Sequence, residues 1–124
     1  MDVVDSNGWL EYFADGPNAS FFARPIENVD YLIVPSLSLF EVFKRVLQQR
    51  DENDALDAIA LMQQGTVVSL DASLALMAAR TSVDERLPMA DSVILATARE
   101  HDATLWTQDA DFEGLGKVKY RKRK

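Results

Sequence analysis

The sequence predicts a small three-layer α/β/α domain built around a central, mainly parallel sheet of four to five strands. Three observations carry this. Short β-leaning apolar runs alternate with segments of helical periodicity along the chain. Those runs are apolar at successive positions, as strands are when helices cover a sheet on both faces. At 124 residues, with 48% hydrophobic and 27% charged side chains, the chain has the length and balance of one globular domain.

The elements follow in order. Val3-Val4 ends at Asp5 and reads as a buried strand, opening into a short aromatic-faced helix with Trp9, Tyr12 and Phe13. Gly16-Pro17 breaks the chain, and residues 19–27 resume a helix with Phe21 and Phe22 on its apolar face, disturbed by Pro25. Tyr31 to Val34 is an apolar run stopped by Pro35, a second strand. From Ser36 to Arg50, Leu39, Phe40, Phe43, Val46 and Leu47 recur at helical spacing. Asp51 to Gln64 repeats the pattern with Leu56, Ile59, Ala60 and Met62, and Gly65 stops it. Thr66 to Leu70 is a third strand, and Asp71 can cap the Ala- and Leu-rich helix that runs through Val83. Pro88 precedes a helix from Met89 to about Asp102, with Val93, Ile94 and Ala98 inward. Thr104 to Thr107 is a fourth strand, an acidic loop spans Gln108 to Glu113, and Val118 falls in a last edge strand. Residues 1–120 form the domain, and residues 121–124 form a basic C-terminal tail.

Composition removes several chemistries. There is no cysteine, hence no disulfide framework, thiolate nucleophile or Cys-ligated metal. The single His101 excludes a His-rich metal site, and at a helix end it reads as a C-terminal cap. Phosphate-binding glycine loops are missing too. No apolar run reaches the roughly 18 residues of a spanning helix, so no membrane contact and a cytoplasmic location are expected. Residues 1–116 carry 7 basic against 20 acidic side chains, a net of −13, while six basic residues crowd positions 117–124. An acidic body argues against nucleic-acid binding, because phosphate contacts need a cationic surface.

Four carboxylates nevertheless stand in unusual positions. In parallel α/β sheets, ligands lie beyond the carboxyl ends of the strands. Asp5 ends the first strand and Asp109 lies just past the fourth, so both belong to one rim. Glu41 sits on the helix after Val34-Pro35, Asp91 in the first turn of its own helix, and Asp111 two residues beyond Asp109. If these acids converge, their repulsion needs a cation, and Mg²⁺ or Mn²⁺ suits carboxylate and water oxygens. Such ions support phosphodiester cleavage. Each acid also has a purely structural reading. Asp5 can cap a helix, Ser38-x-x-Glu41 has capping-box spacing, Asp91 suits a helix N-terminus, and Asp109 and Asp111 are common turn residues. Ser6 and Thr107 can orient a carboxylate or bond to local backbone.

Four stretches together resemble PIN-domain proteins, especially VapC-type toxins of toxin–antitoxin pairs. They are Val3-Val4-Asp5-Ser6-Asn7-Gly8-Trp9-Leu10, Pro35-Ser36-Leu37-Ser38-Leu39-Phe40-Glu41-Val42, Leu87-Pro88-Met89-Ala90-Asp91-Ser92-Val93-Ile94 and Leu105-Trp106-Thr107-Gln108-Asp109-Ala110-Asp111-Phe112. The resemblance runs from Val3 to Tyr120 and implies a PIN-like fold and an Mg²⁺- or Mn²⁺-dependent ribonuclease. It implies that Asp5, Glu41, Asp91 and Asp109 form the catalytic, metal-holding pocket, with Asp111 as an accessory ligand. It further implies an RNA substrate, often tRNA or rRNA, a cognate antitoxin and a homodimer. The ending Tyr120-Arg121-Lys122-Arg123-Lys124 is more basic than is usual in the family and reads either as an RNA-contacting tail or as a disordered solubilising terminus. A PIN-domain RNA-processing nuclease outside a toxin pair and a non-catalytic PIN-like binding protein are the alternatives. A haloacid-dehalogenase-like phosphatase needs an aspartate where Asn7 stands, and a receiver domain wants a strand-end lysine where Gln108 and Asp109 follow.

Overall fold

Val3 and Val4 point to opposite faces of a strand, and both are completely buried. That requires cover on both sides of the sheet. The structure, a computed structural model, describes residues 1–124. Its strands are β1 (Asp2–Val4), β2 (Leu32–Pro35), β3 (Thr66–Val68), β4 (Thr104–Thr107) and β5 (Val118–Tyr120). Its helices are α1 (Ser6–Phe13), α2 (Ala19–Ile26), α3 (Ser36–Gln49), α4 (Glu52–Met62), α5 (Ala72–Glu85) and α6 (Met89–Glu100). The five strands lie in the order β3-β2-β1-β4-β5, and every pair is parallel. This is the α/β/α architecture the sequence predicts, with β5 present as the expected edge strand.

Alternation along the strands divides the core in two. Val4, Val34 and Trp106 face Trp9 of α1, Phe22 and Ile26 of α2, Val42 and Val46 of α3, and Ala55 and Met62 of α4. Val3, Ile33 and Leu105 face Ile94, Leu95 and Ala98 of α6. α5 packs outside α6 through Leu74, Ala78, Val93 and Ala96. The small residues Ala78 and Ala96 let the two helices approach closely.

The chain steps outward from β1 to β2 to β3, then returns to the other side of β1 for β4 and β5. β1 and β4 therefore flank the point where the winding reverses, and connections leave a crevice at their carboxyl ends. That crevice is where Asp5 and Asp109 emerge.

Four sequence expectations shift. Tyr31 belongs to a 3₁₀ turn, Val29–Tyr31, and is exposed, so β2 begins one residue later. In α3 the inward stripe is Ser38, Val42 and Val46, whereas Phe40 and Leu47 are exposed. At about 100° per residue, Phe40 lies roughly 160° round the helix from Val42, which apolarity alone does not reveal. Likewise α4 buries Ala55, Ala58 and Met62 and leaves Leu56 exposed. β3 is an exposed edge strand ending at Val68, short of the expected Leu70.

Gly8 sets how closely the start of α1 approaches its neighbours. A Cβ there would sit 2.5 and 2.6 Å from ring carbons of the fully buried Phe22 and 2.8 Å from a methyl of Val4. Neither partner is free to move. Gly8→Ala is therefore expected to destabilise the fold by about 1–3 kcal/mol, read as a lower midpoint in urea unfolding; an unchanged midpoint would mean the α1–α2 packing is slack.

Candidate metal centre

Asp5 follows β1 directly and occupies the N-cap of α1 with an extended backbone. It is only 3% exposed. Its Oδ1 accepts the Ser6 backbone N–H at 2.7 Å, and its Oδ2 accepts the Thr107 hydroxyl at 2.8 Å. Thr107 is the last residue of β4, and its Oγ1 in turn accepts the Asp109 N–H at 2.9 Å. Asp109 caps a single 3₁₀ turn, Ala110–Phe112, where its Oδ1 accepts the Asp111 N–H at 2.9 Å. One chain of hydrogen bonds thus runs from Asp5 through Thr107 and Asp109 to Asp111, tying the ends of β1 and β4 together. Charge-assisted bonds of this kind are the stronger ones.

Asp91 lies in the first turn of α6, near backbone N–H groups that no carbonyl satisfies. Carboxylate oxygens of Asp91, Asp109 and Asp111 lie within 4.8 Å of one another. Glu41 reaches the rim from α3, where its Oε1 accepts the Ser6 hydroxyl at 2.7 Å. The capping-box reading of Ser38 and Glu41 fails, because α3 starts at Ser36 and the Ser38 hydroxyl is buried without a partner. The capping reading of Asp5 and the turn reading of Asp109 both hold, and neither uses up the carboxylate.

All five sequence-selected acids come to one end of the sheet, in two tiers. Asp91, Asp109 and Asp111 form the tight triplet. Asp5 and Glu41 stand beside it, each held by a donor. The charges are mutually felt. Burial, followed by the charges of Asp91 and Asp109, pushes Asp5 up to about 7 against the pull of its Thr107 and Ser6 bonds. Burial, followed by Asp109, Asp111 and Glu41, pushes Asp91 up to about 6. The donors are all hard carboxylate oxygens with no nitrogen or sulfur among them, which fits Mg²⁺ or Mn²⁺ and disfavours softer ions.

Ser6 serves two acids at once, its backbone N–H on Asp5 and its hydroxyl on Glu41. The side-chain roles of Ser6 and Thr107 are thereby decided in favour of orienting carboxylates. A buried pair went unread in the sequence. Asn18 donates from Nδ2 to Gln108 Oε1 at 3.0 Å and to the Lys122 carbonyl at 3.1 Å. Asn18 precedes α2, and its side chain makes no cap bond. Gln108 reads as a polar loop residue but is 4% exposed.

A cavity of about 510 Å³ lies away from the acids between α1, α3 and α4, with Leu10, Phe13 and Val46 beside Arg50, Asp54 and Asp57. No helix is long and apolar enough to cross a membrane.

An α/β domain with a carboxylate cluster at its winding reversal is the class of protein that this fold and site define. The PIN domain family model matches residues 3–118, and the chain belongs to that family. A search of curated protein sequences finds no significant match. Among solved structures, a toxin–antitoxin complex from Klebsiella pneumoniae aligns with a TM-score of 0.81 and 19% identity, covering 96% of each chain. VapC20 of Mycobacterium tuberculosis, described as a sarcin–ricin loop cleaving toxin, aligns at 0.77 and 19% over 94% of this chain and 95% of its own. DNA-bound VapBC from Salmonella typhimurium aligns at 0.75 and 12%, over 98% and 97%. At these identities the likeness is one of fold.

The raised acids make a prediction about pH. A carboxylate whose folded pKa lies above its unfolded value of 3.8 binds its proton more tightly when folded, so stability falls as pH rises through that window. The metal-free protein is expected to lose roughly 5 °C or more of melting temperature between pH 4.5 and 7.5. Asp91→Asn should flatten this slope, and Mn²⁺ should raise the melting temperature at pH 7.5. A melting temperature that climbs over this range without metal would contradict the coupling among the acids.

Proposed function

We propose that this PIN-domain protein is a divalent-metal-dependent endoribonuclease and the toxin member of a toxin–antitoxin pair. The observation that carries the reading is the triplet of Asp91, Asp109 and Asp111, drawn from the start of α6 and the loop after β4, beside a buried Asp5 from the far end of the chain. Nothing in the packing of the core asks for such a cluster, and its repulsion is relieved by a cation.

Asp91, Asp109 and Asp111 would hold the ion, with Asp5 and Glu41 supporting it from the second tier. When bound, it supplies Lewis-acid stabilisation of charge at a phosphodiester and lowers the pKa of nearby water. The protein's own residues provide the frame. Thr107 and the Ser6 N–H fix both oxygens of Asp5, so this acid cannot rotate away from the rim. The Ser6 hydroxyl restrains Glu41, a long and otherwise mobile side chain. Burial raises the pKa of Asp5 to about 7, and a cation held beside it would favour the ionised carboxylate.

The antitoxin reading draws support from three sources. Solved structures similar in fold include toxin–antitoxin complexes. The net of −13 over residues 1–116 suits a cationic partner segment. The groove between α1, α3 and α4 offers apolar walls beside Asp57 and the Arg50–Asp54 ion pair, a surface that suits the apolar face of an amphipathic helix.

The test is direct. Asp91→Asn or Asp109→Asn should lower RNA cleavage by at least about 100-fold, while Ser6→Ala, which only frees an orienting bond, should cost about 10-fold. EDTA should stop cleavage by the native protein and Mn²⁺ restore it. Full cleavage by Asp91→Asn, or activity indifferent to EDTA, would sink the mechanism.

A further inference from the structure

Three of the chain's thirteen basic residues are matched to carboxylates on the surface: Arg50 with Asp54, Arg99 with Glu85, and Lys117 with Asp102. The basic run from Lys119 to Lys124 is unpaired, as are Arg24, Lys44, Arg45, Arg80 and Arg86, but it alone gathers five cations within six consecutive residues. With twenty acids available in the chain, not one residue of this run makes an ion pair. Lys119 instead lies over the Trp106 ring at 4.5 Å, and the Arg121 guanidinium over the Phe21 ring at 4.7 Å. The two rings themselves pack together with centroids 5.0 Å apart. Cations placed on aromatic faces keep their charge uncompensated.

The backbone of this run is also pinned. The Arg121 N–H donates to the Thr107 carbonyl at 3.0 Å, extending the β4–β5 pairing past Tyr120. The Lys122 carbonyl accepts from the fully buried Asn18, whose same amide holds Gln108. Gln108 is the residue before Asp109. One buried side chain therefore clasps the basic strap to the loop that carries Asp109 and Asp111, two members of the acidic triplet. Because β4 and β5 are parallel and in register at Thr107 and Tyr120, the strap emerges at the same rim as the acids. Arg121, Lys122, Arg123 and Lys124 are all exposed there.

We propose that this strap, Lys119 to Lys124, is a phosphate-backbone arm that seats a single-stranded RNA alongside the acidic centre. It rests on the nuclease reading above and adds the part that reading lacks. A body with a net of −13 repels a polyanion, and a carboxylate centre repels it most. A clasped run of unpaired cations at the same rim supplies local attraction where the scissile phosphate must lie. Its contacts are to phosphate, so they position the strand and read neither base nor sugar.

The experiment measures binding, not cleavage. Fluorescence anisotropy of a labelled single-stranded oligoribonucleotide is recorded in an Asp91→Asn background, with and without Lys122→Gln, Arg123→Gln and Lys124→Gln combined. The triple change is expected to weaken binding roughly tenfold or more at low salt and to flatten the log–log salt dependence by about 2. A DNA oligonucleotide of the same sequence should lose affinity equally. Arg50→Gln, Arg80→Gln and Arg99→Gln together remove the same charge elsewhere and should have a much smaller effect. An unchanged affinity and salt slope in the strap variant would overturn the proposal, as would equal weakening by the distant triple or a loss confined to RNA. Melting temperature and far-ultraviolet circular dichroism verify folding of each variant. Since cleavage is not read, loss of the nuclease reading and loss of the strap proposal give separate results.

Discussion

The carboxylate of Asp5 is the constraint around which the molecule is arranged. A charged group at the end of a buried strand is costly unless its oxygens are bonded. Here the two donors come from different places, one from the first turn of α1 and one from the end of β4. Satisfying this one side chain therefore fixes the start of a helix and holds two neighbouring strand ends together. Thr107, having donated to Asp5, receives the N–H of Asp109, so the position of the second strand-end acid follows from the first. Even with these bonds, burial holds Asp5 near neutrality, and the neighbouring carboxylates add to the strain. The site is built to be incomplete without positive charge.

Charge on the surface is organised around the same need. Most of the protein is acidic, and several of its cations are spent on local ion pairs of the exposed kind that contribute little to stability. At the acidic rim five cations gather between Lys119 and Lys124, none of them ion-paired. Lys119 and Arg121 rest on Trp106 and Phe21, and the backbone just beyond them, at Lys122, is clasped by Asn18. An acidic centre and an unpaired basic strap on one edge give that edge a steep electrostatic contrast. Contrast of this sort orients an approaching polyanion more than it strengthens its binding.

Much of the fold was legible because its signals are local. Apolar runs closed by Asp5, Pro35 and Asp109 marked strand ends, and Asp71 marked a helix start that its side chain does cap, by accepting the Leu74 N–H. The inward faces of α3 and α4 were less legible. Phe40, Leu47 and Leu56 are apolar but exposed, while Ser38 is buried, because helix rotation is decided by what the sheet presents and not by composition. The acids themselves were conspicuous. Their grouping into a triplet with two supporting members was not, since Asp111 reads as accessory yet lies within 4.8 Å of both Asp91 and Asp109.

The sequence by itself determined which residue types are available, the order of the elements and their approximate bounds. Strand-end carboxylates, the absence of cysteine and a lone histidine already limited the chemistry to hard oxygen ligands, because these are properties of side chains and of short-range backbone preference. Only the tertiary structure decided which of those groups meet. The order β3-β2-β1-β4-β5 sets Asp5 beside a strand about a hundred residues later in the chain, and the clasp between Asn18, Gln108 and Lys122 closes a comparable span. Contacts across such separations depend on strand pairing and on the direction a buried side chain takes, and neither leaves a periodic trace along the chain.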